Sequence, residues 1–280
     1  MNEFPRTVVG GVSLSRLIIG TNWFFGYSHT SLAKDKFIRS YQTRANIADV
    51  LEVFLRHGVD TVMAPPTPLL RDAVCDAEDR VGRKVITIVT PHFNILSNGP
   101  SESEPARVFD ACRELGATFC LPHQCITDSL IDRMHNVIRD MDKYTRMIRR
   151  RGMIPGLSTH MPEAITIADA ADIDVETYIQ LYNAAGFLMQ VEADWVMRII
   201  KNAKKPVMTI KPLAAGRLLP PVGLAFVWNT IRDQDMVTIG TTTPDEAKEV
   251  IDLSLDFLSR RLPNNELQTT RSKKSLMTGG

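Results

Sequence analysis

Short apolar stretches alternate with longer amphipathic stretches along nearly the whole chain. The short stretches are rich in Val, Ile and Thr and end in turn residues, which is typical of buried β-strands. The amphipathic stretches repeat apolar residues at steps of three and four, which predicts helices, among them residues 45–58, 105–116, 127–152 and 243–262. We therefore predict eight strands, at residues 15–22, 59–65, 84–92, 118–124, 153–160, 186–194, 206–213 and 236–242.

Strands that alternate with helices form parallel sheets, and eight such units close into a barrel. The sequence thus predicts an α/β fold, an eight-stranded parallel (β/α)8 TIM barrel. Ahead of the first barrel strand, the paired Gly10 and Gly11 in TVVGGVSLS predict a tight β-hairpin that plugs the amino-terminal end of the barrel. We assign residues 1–262 to this single domain and residues 263–280 to a polar C-terminal tail.

Composition and local signals narrow the class of protein. The 280 residues are 44% hydrophobic with a formal net charge of +1, which allows a large core and offers no charge excess for nucleic acid or membrane. No apolar run is long enough to span a bilayer, and the first residues lack the pattern of a signal peptide, so we expect a cytoplasmic protein. The expected partner is a small-molecule substrate, and a homo-oligomer is left open. The aromatic connection from Trp23 to Tyr41 is typical of a lid.

Metal-compatible side chains end four consecutive predicted strands. The carboxyl ends of parallel barrel strands form one rim, and active sites of such barrels lie at that rim. Imidazole and carboxylate groups are ligands that zinc, manganese and iron accept. We therefore predict a divalent metal (zinc, manganese or iron) bound there; the alternative is a polar pocket that holds substrate without metal. The predicted ligands are His92, His123, His160 and Glu192.

Lys211 points into the predicted barrel from the seventh strand. A buried ammonium group needs a partner or a lowered pKa. Three roles stay open: a Schiff base with a carbonyl substrate, an acid or base, and an ion pair with Asp60 or Glu192, which we favour. The loops after the seventh and eighth strands offer a candidate phosphate site at Gly216, Arg217 and Thr243.

Several segments also follow the order of landmarks in a known family. They are TVVGGVSLSRLIIGTN, HGVDTVMAP, RRRGMIPGLSTH, QVE, KPLAAGRL and IGTTTPDEAKEVI. In this order they resemble the aldo-keto reductases, which implies a β/α barrel, a nicotinamide cofactor and a catalytic set of aspartate, tyrosine, lysine and histidine. Asp60 matches the aspartate and His123 the histidine, but APPTP lacks the tyrosine and His92 stands where the lysine is expected. GTTTPDEAKEVI also lacks the basic residue that grips a cofactor phosphate.

These departures weaken the case for redox chemistry and favour a nicotinamide-independent enzyme. We predict a metal-assisted lyase, isomerase or epimerase that acts on a small hydroxy-carbonyl or keto-sugar-like compound. The alternative is an NAD(P)H-dependent aldo-keto reductase-type oxidoreductase, with NADP as its cofactor, and the second alternative is a non-catalytic small-molecule binding protein. The candidate catalytic residues are Lys211, Asp60, Glu192 and His123.

Overall fold

The computed structural model describes residues 3–96 and 100–263 of the chain. A parallel sheet forms its centre, with an antiparallel hairpin before it and a second small hairpin within one connection. In chain order the strands are β1 (Arg6–Val9), β2 (Val12–Ser15), β3 (Leu17–Gly20), β4 (Thr61–Ala64), β5 (Ile86–Val89), β6 (Phe119–Cys120), β7 (Ile131–Asp132), β8 (Val137–Ile138), β9 (Ile154–Pro155), β10 (Leu157–Thr159), β11 (Tyr178–Leu181), β12 (Val207–Ile210) and β13 (Met236–Gly240).

The parallel sheet closes on itself through one interrupted strand. Its order is β10-β11-β12-β13-β3-β4-β5-β6-β9, and β9 and β10 are the two halves of a strand that Gly156 divides. β9 pairs with β6 while β10 pairs with β11, so the sheet forms a closed ring of eight strands. A Cβ atom on Gly156 would lie 2.7 Å from the carbonyl oxygen of Thr177. The break between β9 and β10 therefore requires glycine. The prediction of an eight-stranded (β/α)8 barrel is confirmed.

Helices follow the barrel strands and bury their apolar sides against the outer face of the sheet, which makes the larger of two hydrophobic cores. Several begin at the signals that the sequence carries, such as the Thr67 and Thr243 side chains that cap helices starting with proline. In chain order the helices are α1 (Asn22–Phe25), α2 (Leu32–Tyr41), α3 (Arg44–Arg56), α4 (Pro68–Val81), α5 (Pro105–Glu114), α6 (Gln124–Leu130), α7 (Met141–Arg149), α8 (Glu163–Ala170), α9 (Ala193–Asn202), α10 (Pro220–Thr230) and α11 (Pro244–Leu258), with short 3-10 turns at Ser101–Ser103 and Ala214–Gly216.

The hairpin of β1 and β2 closes the amino-terminal end of the barrel, as predicted. Gly10 and Gly11 have φ angles of 53° and 81°, the left-handed pair that a tight hairpin turn needs. Val9 and Leu14 from the hairpin pack against the side chains that fill the barrel interior. The amino-terminal part of the interior is therefore a packed core, and in barrels of this kind the active site lies at the opposite, carboxyl-terminal rim.

Two predicted elements were wrong. The apolar run at residues 186–194 forms a loop rather than a strand, because Gly186 and Leu188 have φ angles of 65° and 57° that break an extended backbone. The sixth barrel strand is instead β11, whose residues pair in register with both β10 and β12. The helix predicted at residues 127–152 is interrupted by the β7–β8 hairpin, which separates α6 from α7.

The predicted tail and domain division concern residues that the structure only partly covers. Of the C-terminal segment 263–280, residues 264–280 lie outside the described residues, so the boundary at residue 262 stays a prediction. The segment from Trp23 to Tyr41 folds into α1 and α2, and its role as a lid also stays a prediction. Among the residues described, no helix combines the length and the hydrophobicity that crossing a bilayer demands.

Candidate active site

Three histidines lie at the carboxyl-terminal rim of the barrel. His92 follows β5, His123 caps the start of α6 just after β6, and His160 follows β10. Burial lowers the pKa of His123, and the nearby charges of His92 and Lys211 lower it further. Burial also lowers the pKa of His160, to about 4, with smaller contributions from Lys211, His123 and His29. These electrostatic effects indicate that one compact group of basic side chains occupies the rim, and that His123 and His160 are neutral at pH 7.

Lys211 lies at the centre of this group. It follows β12 directly, and its Nζ lies 2.9 Å from Nε2 of His29, which belongs to the connection between α1 and α2. Burial lowers the pKa of Lys211 from its ordinary 10.5 to about 8. The ammonium therefore donates to a neutral imidazole at pH 7, since burial and the charge of Lys211 also lower the pKa of His29.

The protonation state of His29 follows from its neighbours. Nε2 lies within 2.9 Å of the Lys211 ammonium and 3.4 Å from the Asn22 amide nitrogen, and both of these groups are donors. Nε2 is thus the acceptor, and the ring proton belongs on Nδ1. Sequence analysis did not assign His29 to the site, because nothing near it along the chain reveals Lys211.

The backbone around Lys211 is unusual. Lys211, Ala214, Ala215 and Gly216 have φ angles of 60°, 50°, 56° and 84°, all in the left-handed region. His29 has a φ angle of 54°, so both members of the Lys211–His29 pair adopt a conformation that side chains rarely take. Clusters of such residues occur at sites where function requires a fixed geometry.

His123 holds a fixed orientation through its own helix. Its Nδ1 accepts from the backbone N–H of Cys125 at 3.4 Å and lies 2.9 Å from the Cys125 Sγ. Because Nδ1 is an acceptor, the neutral ring carries its proton on Nε2, which leaves an N–H donor for a ligand.

Asp128 supports His160, and sequence analysis missed it. One carboxylate oxygen accepts from the Thr159 hydroxyl at 2.5 Å, and the other accepts from the backbone N–H of His160 at 3.2 Å. Burial raises the pKa of Asp128, while these hydrogen bonds oppose the shift. The contact joins α6 to the end of β10, and no local pattern announces it because the partners are 31 positions apart.

Asp60 lies away from this group, so the structure does not support its assignment as a catalytic residue, which stays a prediction. It precedes β4 and therefore lies at the amino-terminal end of the barrel. Its carboxylate, in a residue only 6% exposed, accepts from Arg6 of the hairpin at 2.8 Å and from Arg83 at 3.4 Å. The carboxyl end of β4 instead carries the apolar, buried Met63. Asp60 fastens the hairpin to the barrel, and Lys211 cannot pair with it.

The structure likewise gives no support to Glu192 as a metal ligand or as a catalytic residue. Glu192 is exposed and stands just before α9, because the strand predicted to end there is a loop. Without it, the donor set of His92, His123 and His160 lacks its carboxylate. Among residues 3–96 and 100–263, no group of three or more His, Cys, Asp or Glu side chains converges as metal ligands do. The predicted zinc, manganese or iron centre is therefore not supported.

The two loops proposed for phosphate differ in character. At the start of α11, the Thr243 hydroxyl accepts from the N–H of Glu246, and the Glu246 carboxylate accepts from the N–H of Thr242 at 2.6 Å. This capping box uses the amides that a phosphate would need and adds negative charge.

The other loop carries Arg217, which is exposed. Its guanidinium stacks on Phe187, with 3.9 Å between the guanidinium carbon and the ring centroid. The one hydrogen bond of its side chain in the described structure goes to the Ala214 carbonyl at 3.1 Å.

Comparison with known proteins gives structural matches only. No family model and no curated protein matches the sequence. A solved structure from Pseudomonas aeruginosa assigned to the aldo-keto reductases is 16% identical, covers 92% of this chain and 98% of its own, and has a TM-score of 0.65. An aldo-keto reductase from Bacillus halodurans in its holo form is 14% identical over 98% and 96%, with a TM-score of 0.58. One from Klebsiella pneumoniae in complex with NADPH is 15% identical over 94% and 92%, with a TM-score of 0.57.

These matches and the rim geometry overturn the prediction of a metal-assisted, nicotinamide-independent lyase, isomerase or epimerase. The similar structures are described as reductases, one of them with NADPH bound, and Glu192, the carboxylate on which the metal chemistry depended, lies outside the rim group. At identities of 13–16%, such likeness establishes the architecture and nothing finer. The chain has the barrel fold of the aldo-keto reductases.

Proposed function

We propose that the chain is an oxidoreductase that interconverts a carbonyl compound and its alcohol with a nicotinamide nucleotide. The observation that carries this proposal is the Lys211–His29 pair at the rim, a proton donor held where barrels of this fold perform chemistry. The fold shared with reductases, one of them in complex with NADPH, supports the choice of reaction. The proposal replaces our expectation of a nicotinamide-independent enzyme.

Lys211 supplies the acid in place of the missing tyrosine. Reduction of a carbonyl adds a hydride to carbon and a proton to oxygen. An ammonium whose pKa is about 8 is protonated at pH 7 and loses its proton readily, as a general acid must. His29 accepts a hydrogen bond from the ammonium and so fixes its direction. His123 and His160, both neutral, are hydrogen-bonding groups for the substrate.

The nucleotide's phosphates require positive charge that no carboxylate neutralises. Arg217 meets this requirement, because no acidic side chain of the described residues lies within ion-pair distance of it. The first turn of α11 does not, because it carries Asp245 and Glu246. We therefore assign Arg217 and the turn at Ala214–Gly216 to phosphate binding. When bound there, the nicotinamide nucleotide supplies the hydride.

Titration with NADPH, followed by nucleotide fluorescence, tests the proposal. We expect saturable binding, and Arg217→Met should weaken it at least about tenfold by removing a charge-assisted contact. Arg198→Met is a matched control, because Arg198 also lies over an aromatic ring, that of Trp195, but on the outer face of the barrel. Absence of nucleotide binding to the unmodified protein would refute the oxidoreductase.

A further inference from the structure

We propose that this rim selects substrates in which a carboxylate stands next to the reacting carbonyl group, that is, 2-oxo acids or the matching 2-hydroxy acids. Lys211 would face an oxygen of each group, with His123 and His160 completing the anion site. The identity of the reacting group rests on the proposed function, whereas the anion site does not.

The first argument is that Lys211 is a half-buried cation without a counter-ion among residues 3–96 and 100–263. Its one polar side-chain contact in the described structure is the neutral ring of His29. None of the acidic side chains described lies within ion-pair distance of Nζ, and the two carboxylates that sequence analysis offered, Asp60 and Glu192, lie elsewhere. An ammonium withdrawn from water without a partner is destabilising, and a bound anion removes that penalty.

The second argument is that the side chains known to be near Lys211 are basic. His29 contacts it from the connection after α1. The charge of Lys211 lowers the pKa of His123, at the start of α6, and of His160, after β10, so both rings lie near it. The nearby acids are already engaged. Asp35 accepts from Ser28 at 2.5 Å, and Asp128 accepts from Thr159 and from the His160 backbone.

The anion that binds Lys211 could belong to the substrate or to the phosphates of the nucleotide. We favour the substrate because Lys211 contacts His29 in the group of rim histidines, where we place the reacting atoms. Arg217, further along the loop and exposed, is left for the phosphate. A carboxylate beside a carbonyl also suits Lys211. An ammonium group has three N–H donors, so it can donate to His29 and to one oxygen of each of the two groups.

Calorimetric titration of the nucleotide-free protein with pyruvate and with pyruvamide at pH 7 tests the proposal. The two compounds are nearly isosteric and differ in charge. We expect pyruvate to bind at least about tenfold more tightly, since a charge-assisted contact is lost in the amide. Lys211→Met should abolish this preference. Lys201→Met, at the exposed end of α9, should retain it. Inorganic pyrophosphate, the probe for a phosphate source, should bind with an affinity that depends more on Arg217 than on Lys211.

A second measurement needs no variant. In the proton NMR spectrum, saturating pyruvate should raise the pKa of His160 by bringing a negative charge beside it. Equal binding of pyruvate and pyruvamide, an unchanged His160 titration, or pyrophosphate affinity lost with Lys211 but not with Arg217 would each overturn the proposal. Because no nucleotide is present, these results are independent of NADPH binding, which tests the oxidoreductase separately.

Discussion

His29 and Lys211 are 182 positions apart, and their side chains meet at 2.9 Å between Nε2 and Nζ. Both residues have left-handed backbone conformations, with φ angles of 54° and 60°. Such conformations destabilise a protein by on the order of 1–3 kcal/mol each and persist where surrounding contacts impose them. The pair therefore joins the connection after the first barrel strand to the loop after the seventh at the expense of local stability, as expected of a functional contact.

Replacement of Lys211 by methionine should separate function from stability. The variant keeps most of the side-chain volume, loses the proton donor, and should lower kcat/KM at least about a hundredfold. In urea unfolding at pH 7, the free energy of unfolding should rise by about 1–3 kcal/mol. The reason is that the lowered pKa of Lys211 reflects an ammonium that is less stable in the native protein than in water. Lys201→Met is the control. A loss of stability in Lys211→Met would reveal a carboxylate partner for the ammonium.

The same group predicts how stability depends on pH. The pKa of Lys211 is about 8 in the native protein and 10.5 ordinarily, so between these values the unfolded chain holds a proton that the native chain has released. The free energy of unfolding therefore rises with pH in this window as far as Lys211 contributes. Below pH 8, the free energy of unfolding of Lys211→Met should exceed that of the unmodified protein by the full amount. The difference should vanish towards pH 10.5. A difference that is constant with pH would contradict the burial of this charge.

His160 makes a prediction on the acid side. Its pKa falls from 6.5 to about 4 on folding, so the unfolded chain binds the additional proton between these values. Stability from this group is complete above pH 6.5 and is lost as the pH falls to 4. His160→Gln should remove about 1–3 kcal/mol of that dependence, measured as free energy of unfolding at pH 4.5 and 7.

Asp60→Asn distinguishes a structural aspartate from a catalytic one. The amide weakens the contacts to Arg6 and Arg83 that hold the hairpin against the barrel. The free energy of unfolding should fall by about 1–3 kcal/mol, less than for a fully buried pair because both arginines are partly exposed. The value of kcat/KM under conditions where the variant is folded should remain within about twofold. Loss of turnover in a fully stable variant would return Asp60 to the active site.

Metal removal is the last test of the corrected assignment. The rim histidines lack the carboxylate that was expected to complete their donor set. Dialysis against a chelator should leave both Tm and activity unchanged, and zinc or manganese added afterwards should not raise Tm. A ligand that binds the native state stabilises it, so a rise of Tm that His92→Gln and His160→Gln abolish would restore the metal site.

Periodicity along the chain was sufficient for the architecture. Alternation of strands and helices depends on which faces are apolar, a property of neighbouring residues, and so the barrel, the hairpin at Gly10 and Gly11, and the rim position of His92, His123 and His160 could all be predicted. There were two exceptions. The β7–β8 hairpin interrupts the helix predicted at residues 127–152. The sixth strand was misplaced because the run at residues 186–194 is as apolar as a strand. Its left-handed positions at Gly186 and Leu188 are decided by contacts with Asn183, which hydrogen-bonds to Phe187 in both directions.

Only the closed barrel decided which charges meet. Whether Lys211 faces Asp60, Glu192 or His29 depends on the end of the barrel that each reaches, and an aspartate before a strand and a lysine after one lie at opposite ends. The sequence by itself therefore determined the fold and the basic residues of the rim, because local hydrophobic patterns encode both. The tertiary structure alone decided that this lysine has a histidine beside it and, among residues 3–96 and 100–263, no carboxylate within ion-pair distance, because electrostatic partners are chosen by distance in space and not by distance along the chain.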